Sequence, residues 1–451
     1  MKVAIQPCLL RVGARRFGDA PALLGPEERL TFRELDHRVS ERARTLTTIG
    51  SPGAWVALKA AHSVEGLVGF LALLRAGFHV LPVNPAQPEE PLRMLATRNR
   101  IGRLLDPDGA ELPAMEGSGS GVPRAETLEF VGDAPCTGIL TSGSTGVPKL
   151  AVHSYRNHVL SAVGSASVMP LAPGDRYLLS LPWFHVGGVA ILFRCLLGGA
   201  AVVLGGRVED PDFLRDLRVS HVSMVEAQLQ RLLARQDALP GLRGVLLGGG
   251  PVRPALLRSA RDRGLPACMT YGLTEMSSQV IVQGPDGMVR LLPHRECRIA
   301  ADGEILVRGD TLFLGYLEDG GLVPATDVDG WFHTRDLGYW DERVFQVLGR
   351  RDHQFISGGE NVQPERIEDV LHRHPAIAQA VVVPRADAEF GQRPVAFLDA
   401  TGEIQQDALR TWLRQYLNAW ELPVAFHPLP RSEGMKILRA DLVALAARGG
   451  P

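Results

Sequence analysis

The chain has no surplus charge of either sign, with 48 Lys and Arg against 50 Asp and Glu in 451 residues. That balance excludes the basic stripe of a nucleic-acid-binding surface. Paired cysteines are also lacking. Cys8, Cys136, Cys195, Cys268 and Cys297 are scattered, odd in number and never spaced C-x-x-C. Neither a disulfide framework nor a zinc site is expected, and a reducing compartment is. No long apolar segment separates Met1-Lys2-Val3 from Gln6-Pro7, so a secretory leader is not expected. One apolar run, 181–204, has the length of a membrane span but contains His185, Arg194 and several glycines. A charge at the centre of a lone span is costly, so the run is expected to be buried core, with no membrane span, in a cytoplasmic protein.

What is present is the composition of a soluble globular protein: 45% apolar and 22% charged residues, with 49 glycines and 32 prolines to supply many loops. The length, 451 residues, exceeds what one domain usually holds. Thr31, with Glu34 one turn on, reads as a capping box opening a helix towards Leu46. Trp55-Val56-Ala57-Leu58 reads as a strand, 63–75 as a helix closed by Gly77, and 78–83 as the next strand. Strand, helix and strand at this spacing make a βαβ unit and hence a parallel sheet. The alternation continues through 177–181, 188–197, 200–204, 221–225 and 244–247. Two βα-rich halves, 30–170 and 170–285, predict two related sheets packed together. From 295 the texture turns to β, with 304–308 and 344–348 alternating as half-exposed strands. A smaller unit follows Gly349-Arg350-Arg351-Asp352, with a helix opened by Pro364, a strand at 380–383 and a helix at 407–417. The expected fold is α/β: a large N-terminal domain, 1–350, of two packed βα sheets plus a β-rich subdomain, then a small α+β C-terminal domain, 351–451.

The stretch Thr141-Ser142-Gly143-Ser144-Thr145-Gly146-Val147-Pro148-Lys149 lies between a short apolar run, Gly138-Ile139-Leu140, and a helical pattern that starts at Ser154. Strand, glycine-rich loop and helix in that order can wrap anionic oxygens with inward N–H groups. Ser142, Ser144 and Thr145 add hydroxyl donors, and Lys149 adds a point charge. The Gly-Lys-Ser/Thr ending of a Walker A loop is missing, because Val147-Pro148 separates Gly146 from Lys149. The expected ligand is a nucleotide handled in some way other than γ-phosphoryl transfer.

This loop resembles the phosphate-binding loop of adenylate-forming enzymes, the family of acyl-CoA synthetases, peptide-synthetase adenylation domains and firefly-type luciferases. Other motifs similar to that family's follow in order: Leu181-Pro182-Trp183-Phe184-His185-Val186-Gly187-Gly188, Gly248-Gly249-Gly250-Pro251, Tyr271-Gly272-Leu273-Thr274-Glu275, Thr334-Arg335-Asp336, the Gly349–Asp352 hinge and Lys436 near the C-terminus. The resemblance covers nearly the whole chain and implies ATP, Mg²⁺ and coenzyme A. A carboxylate would be joined to the α-phosphorus of ATP, and its acyl group then passed to a thiol. It implies ATP or AMP contacts from Thr141, Ser142, Gly143, Ser144, Thr145, Gly146, Lys149, Gly249, Gly250, Tyr271, Gly272, Thr274, Glu275, Asp336 and Arg350. Glu275 would carry the metal, with the Thr145 hydroxyl near it. Asp336 would accept the ribose hydroxyls. Lys436 would reach the bond being made. Asp352 would be the pivot of a mobile C-terminal domain that exchanges Lys436 for a coenzyme A face at Gly358, Gly359 and Glu360. Arg335 stands where the family usually has glycine. A homodimer is a family expectation only.

Local wording is most similar to the branch that ligates o-succinylbenzoate to coenzyme A in menaquinone biosynthesis. The short chain, Ala151-Val152-His153, the 181–188 stretch, Tyr271 to Val280, Phe355 to Glu365 and Ala388 to Ala396 all fit. That acid has two carboxylates, one reacting and one aromatic. Arg194, in an otherwise apolar helix, could supply a bidentate fork to the second, or it could face the surface or pair with a protein acid. His185 is either a catalytic or acyl-site group or a core histidine. Gly249 and Ser277 complete the expected acyl site. The sequence departs from the branch at Val225-Glu226-Ala227-Gln228, where Val-Pro-Thr-Gln is common, and at Asn418-Ala419-Trp420-Glu421-Leu422-Pro423. Other readings are a CoA ligase for another carboxylic acid, a peptide-synthetase adenylation domain, and a nucleotide-binding protein without turnover. The joint presence of Lys149, Glu275, Asp336 and Lys436 argues against the last.

Overall fold

A computed structural model describes residues 5–46, 49–107, 129–141, 148–235, 241–341, 343–402, 404–430 and 439–448. The chain divides into two compact units: Met1–Cys297 with Val307–Phe332, and Arg298–Leu306 with His333–Pro451. The expected boundary at 350–352 falls inside the second unit.

The first unit holds two large sheets. One has seven strands, in the order Gly321–Val323, Gly315–Glu318, Lys149–Ser154, Pro135–Thr141, His79–Val83, Trp55–Lys59 and Arg103–Leu105. The predicted βαβ unit is there, with Trp55–Lys59 parallel to His79–Val83 and the helix Val64–Arg75 between them, N-capped by Ser63. The other sheet has nine strands, in the order Val289–Leu291, Ser278–Gln283, Ala267–Leu273, Gly244–Leu247, His221–Met224, Arg176–Leu178, Ala201–Val203, Pro21–Leu24 and Arg29–Thr31. The two expected halves, 30–170 and 170–285, each supply the body of one sheet, and strands from outside those ranges extend both. Pro21–Leu24 pairs with Ala201–Val203, and Gly315–Glu318 pairs with Lys149–Ser154. These added strands are short and pair across long stretches of sequence, which local periodicity cannot report. The predicted capping box is formed: Thr31 N–H donates to Glu34 Oε2 at 2.8 Å, and Glu34 N–H to Thr31 Oγ1 at 3.2 Å.

The apolar run at 181–204 becomes the helix Val186–Gly198 and the strand Ala201–Val203. Among the described residues no helix is long and apolar enough to cross a membrane. Trp183 anchors the entry to that helix, 1% exposed. Its indole N–H donates to Ala61 O at 2.9 Å and its ring lies edge-on to Phe70.

The second unit contains the strand Phe332–Trp340 from His333 onward and the strand Phe345–Arg350, antiparallel to it, followed by a sheet in which Ile377–Asp387 pairs antiparallel with Gly391–Ala400, and Ala425–Pro428 pairs parallel with the latter. Pro364 opens the helix Pro364–Leu371 as predicted. Residues 304–307 are all buried, not half-exposed as their alternation suggested. Glu304 is the reason alternation misleads: its carboxylate is buried but paired, accepting from Arg335 N–H at 2.8 Å and from Arg351 at 3.2 Å.

Candidate active site

The loop after Thr141 joins two antiparallel strands, Pro135–Thr141 and Lys149–Ser154, and the helix Tyr155–Ala166 begins only after the second. The expected order of strand, loop and helix is corrected by one inserted strand. Leu150, Ala151 and Val152 are all buried, so the strand is covered on both faces. Such a short run is indistinguishable from a helix lead-in by periodicity. Ser154 ends the strand and caps the helix reciprocally with Asn157. The loop residues Ser142, Gly143, Ser144, Thr145 and Gly146 lie outside the described residues, as does Lys436.

The two ends of the loop are described. Thr141 is paired with Lys149, and its hydroxyl donates to Lys149 O at 3.3 Å. The Lys149 ammonium lies 4.8 Å from the ring centroid of Tyr316, a favourable cation–π placement. The Tyr316 hydroxyl donates to Glu275 Oε1 at 2.7 Å. Tyr316 thus touches both the loop lysine and the expected metal carboxylate. Sequence reasoning missed it. Its only signal was an aromatic in the strand Gly315–Glu318, a strand that was not recognised.

Glu275 sits in a single 3₁₀ turn, Thr274–Met276, between the strands Ala267–Leu273 and Ser278–Gln283. Two contacts fix that turn: Phe313 N–H donates to Glu275 O at 2.7 Å, and His153 Nε2 donates to Thr274 O at 2.7 Å. His153 is fully buried, and desolvation lowers its pKa to about 4, so the ring is neutral and Nε2 carries the proton. The register slips between Tyr271 and Gly272. A Cβ at Gly272 would lie 2.0 Å from Ser278 O, so the close crossing of these strands requires glycine. Gly249, with φ of +80°, and Gly250 follow the strand Gly244–Leu247, both exposed.

The acyl-site candidates separate. Arg194 is buried, 4% exposed, and its Nη2 donates to Gln279 Oε1 at 2.9 Å and to Ser278 Oγ at 3.2 Å. Its Nε and the Gln279 Nε2 are buried donors without a partner among the described residues. His185 stands exposed at the N-cap of the same helix, its ring 4.6 Å from that of Phe184. Ser277 is fully buried, and its hydroxyl donates to Thr311 O at 3.0 Å; Ser278 is the serine beside Arg194. Glu226 forms an ion pair with Arg253 and accepts from its backbone N–H, so the unusual acid is neutralised within the fold.

In the second unit, Thr334 Oγ1 donates to Ile305 O at 2.7 Å and accepts from Asp336 N–H at 3.0 Å. Arg350 bridges two carboxylates, Asp336 and Asp352, at 3.1 Å each. Arg335 has φ of +62° and its guanidinium lies 3.4 Å from Asp352. The left-handed backbone explains why glycine suits this position. Gly358 and Gly359, with φ of +60° and +87°, turn the hairpin between Phe355–Ser357 and Glu360–Val362, leaving Glu360 exposed.

The sequence profile of AMP-binding enzymes matches residues 10–317, and that of the AMP-binding enzyme C-terminal domain matches residues 366–434. The chain belongs to the AMP-binding enzyme family. Among curated relatives, the 2-succinylbenzoate–CoA ligase of Escherichia coli is 38% identical over 94% of this chain and 95% of its own. The enzyme of the same name from Bacillus licheniformis is 32% identical over 97% and 99%. Among solved structures, an arginine-to-lysine variant of E. coli MenE with bound OSB-AMS superposes with a TM-score of 0.87, at 35% identity, covering 98% of this chain and 99% of that one. Bacillus subtilis MenE, an o-succinylbenzoate CoA synthetase in complex with the acyl-adenylate OSB-AMP, gives a TM-score of 0.87 at 29% identity, covering 98% of each chain. The same B. subtilis enzyme has also been solved with ATP and magnesium ion. The predicted mixed α/β, adenylate-forming fold is the fold of these proteins.

Proposed function

We infer that the chain is an ATP-dependent acid–thiol ligase of menaquinone biosynthesis that adenylates 2-succinylbenzoate, releases pyrophosphate and transfers the acyl group to coenzyme A. A carboxylate oxygen of the acid attacks the α-phosphorus, and the bond to pyrophosphate breaks. The thiolate of coenzyme A then attacks the acyl carbon, and AMP leaves. The observation that carries the choice of acid is the buried Arg194, which has no carboxylate partner among the described residues and has unused donors beside it. A buried guanidinium left in this state is costly, and a dicarboxylic acid supplies the missing anion.

In this reading the 141–149 loop holds the pyrophosphate half of ATP, with Lys149 countering its charge. Glu275, a hard oxygen donor held by Tyr316, would hold Mg²⁺. One carboxylate fits an ion that otherwise takes water and phosphate oxygens. The ion would neutralise phosphate charge in the transition state. Preorganised charge of this kind is worth on the order of 10²–10³ in rate per group. Asp336 receives the ribose and Arg350 the nucleotide. Lys436 and the Gly358–Gly359–Glu360 face alternate as the small domain, 351–451, swings about Asp352, so one nucleotide site serves both half-reactions. His185 belongs to the acyl end. A cytoplasmic location and a homodimeric state belong to the same proposal, the first supported by five free cysteines.

The test is pyrophosphate release measured across a panel of carboxylic acids with ATP, Mg²⁺ and coenzyme A. Turnover is expected with 2-succinylbenzoate and to be weak with monocarboxylic aromatic acids. Silence with 2-succinylbenzoate and turnover with another acid would replace the assignment by the broader one, a CoA ligase of different specificity.

A further inference from the structure

Arg194 is not the only uncompensated cation in this part of the interior. Arg295 is 5% exposed. Its guanidinium donates to three backbone carbonyls, Gln279 O, Pro293 O at 2.7 Å and Ser161 O at 3.4 Å, and to Ser161 Oγ at 3.1 Å. Every acceptor is neutral. No carboxylate among the described residues pairs with it or with Arg194. The two guanidinium groups meet on one residue: Arg295 grips the Gln279 carbonyl while Arg194 donates to the Gln279 amide oxygen. Because that oxygen faces a donor, Gln279 Nε2 is left as the free end, buried and unpartnered. Burial, with the like charge of Arg194 nearby, pulls the Arg295 pKa down to about 9. The space for this group is built in, since a Cβ at Gly164 would lie 2.1 Å from Arg295 Nη1.

A fold does not keep two like charges out of water beside each other without something to offset them. Three carbonyls would satisfy the donors of Arg295 without satisfying its charge. We propose that Arg295 is a positioning and specificity-determining residue of the acyl site. It adds a second positive charge behind Arg194 and locks Gln279 so that Gln279 Nε2 and Arg194 Nε are both left to the non-reacting carboxylate of the substrate. This rests on the reading of 2-succinylbenzoate as the acid. It goes beyond that reading by making the preference for a dianion depend on a residue that does not itself touch the substrate.

The test compares two acids on the purified full chain: 2-succinylbenzoate, and 4-oxo-4-phenylbutanoate, which is the same molecule without the ring carboxylate. Wild type is expected to favour the first by KM. In Arg295→Met the ratio of the two KM values should shrink about tenfold, the size of one lost charge-assisted contact. Arg295→Lys, which keeps the charge but not the fork, should recover part of the ratio. Gly164→Ala, which displaces the guanidinium without removing it, should shrink the ratio as Arg295→Met does. Thermal melts report whether each variant folds, and if Arg295→Met does not, the other two decide. KM values that move together for both acids would reduce Arg295 to a structural fastener and overturn the proposal. So would a wild type that does not distinguish the acids. A wild type inactive with 2-succinylbenzoate would instead overturn the assigned function, and this inference with it.

Discussion

The hydroxyl of Tyr316 donates a 2.7 Å hydrogen bond to Glu275 Oε1, while the face of the same ring receives the Lys149 ammonium at 4.8 Å. One side chain thereby sets the distance between the cation proposed for phosphate and the carboxylate proposed for the metal. Tyr316→Phe separates the two contacts, because the ring stays under Lys149 and only the hydroxyl is lost. A hydrogen bond to a charged acceptor is worth about 1.5–3 kcal/mol. The adenylation rate should fall about tenfold or more, and the Mg²⁺ concentration for half-maximal rate should rise. Pyrophosphate release measured against Mg²⁺ checks this, and an unchanged Mg²⁺ dependence would show that the hydroxyl does not position Glu275.

Gly272 lies where two strands cross too closely for any side chain. Gly272→Ala must push the strand Ser278–Gln283 outward, with Ser278 and Gln279 on it. Overpacking of this kind costs about 1–3 kcal/mol. The melting temperature should drop, and the KM for the acid should rise more than the KM for ATP, because Arg194 loses its partners. Equal changes in the two KM values would contradict this.

Arg335 occupies a left-handed conformation, φ +62°, where most relatives of the family are expected to have glycine. The conformation costs a side chain about 1–2 kcal/mol, and glycine costs about 0.5–1 kcal/mol in backbone entropy. The Arg335 contact with Asp352 is long, and the arginine is solvent-exposed, so it adds little. Arg335→Gly is therefore expected to leave stability unchanged or raise it by up to about 1 kcal/mol, as chemical denaturation would show. The Glu304 bond to the backbone N–H survives in the variant.

Burial lowers the pKa of His79, His153 and His221 to about 4 each, from an ordinary 6.5. Unfolding returns each to its ordinary value, so the unfolded chain binds more protons between these limits. The stability these neutral rings contribute is fully present above pH 6.5 and is lost as the pH falls through about 4. Melting temperature should decline from pH 7 towards pH 5, by roughly several degrees for a protein of this size. His153→Gln, which retains a donor for Thr274 O, should flatten that decline. An identical slope in the variant would mean that His153 does not titrate with unfolding.

The contiguous features were legible in the sequence. The Thr31–Glu34 capping box, the βαβ unit with Ser63 and Gly77 at the ends of its helix, the start at Pro364 and the ordered motifs of the family all depend on residues within a turn or a loop of each other. Periodicity, caps and spacing report such neighbours directly. Arg194 was also legible as a problem, a charge in an apolar helix, though its partners were not.

What only the tertiary structure decided is which distant segments meet. Tyr316 reaches Glu275, Arg295 reaches Gln279 and Ser161, and His153 reaches Thr274, across sequence separations where pattern carries no information. The same holds for the strand inserted after the 141–149 loop and for the short strands Pro21–Leu24 and Gly315–Glu318 that extend the two sheets. Glu226 stood out in the sequence only as a departure from the branch's wording, and its pairing with Arg253 became visible in the fold. In each case the residue type announced a need, for a counter-charge, a donor or room for a backbone. Only packing determines which part of the chain meets that need, because the energy of a buried polar group depends on what is brought to it and not on what precedes it in sequence.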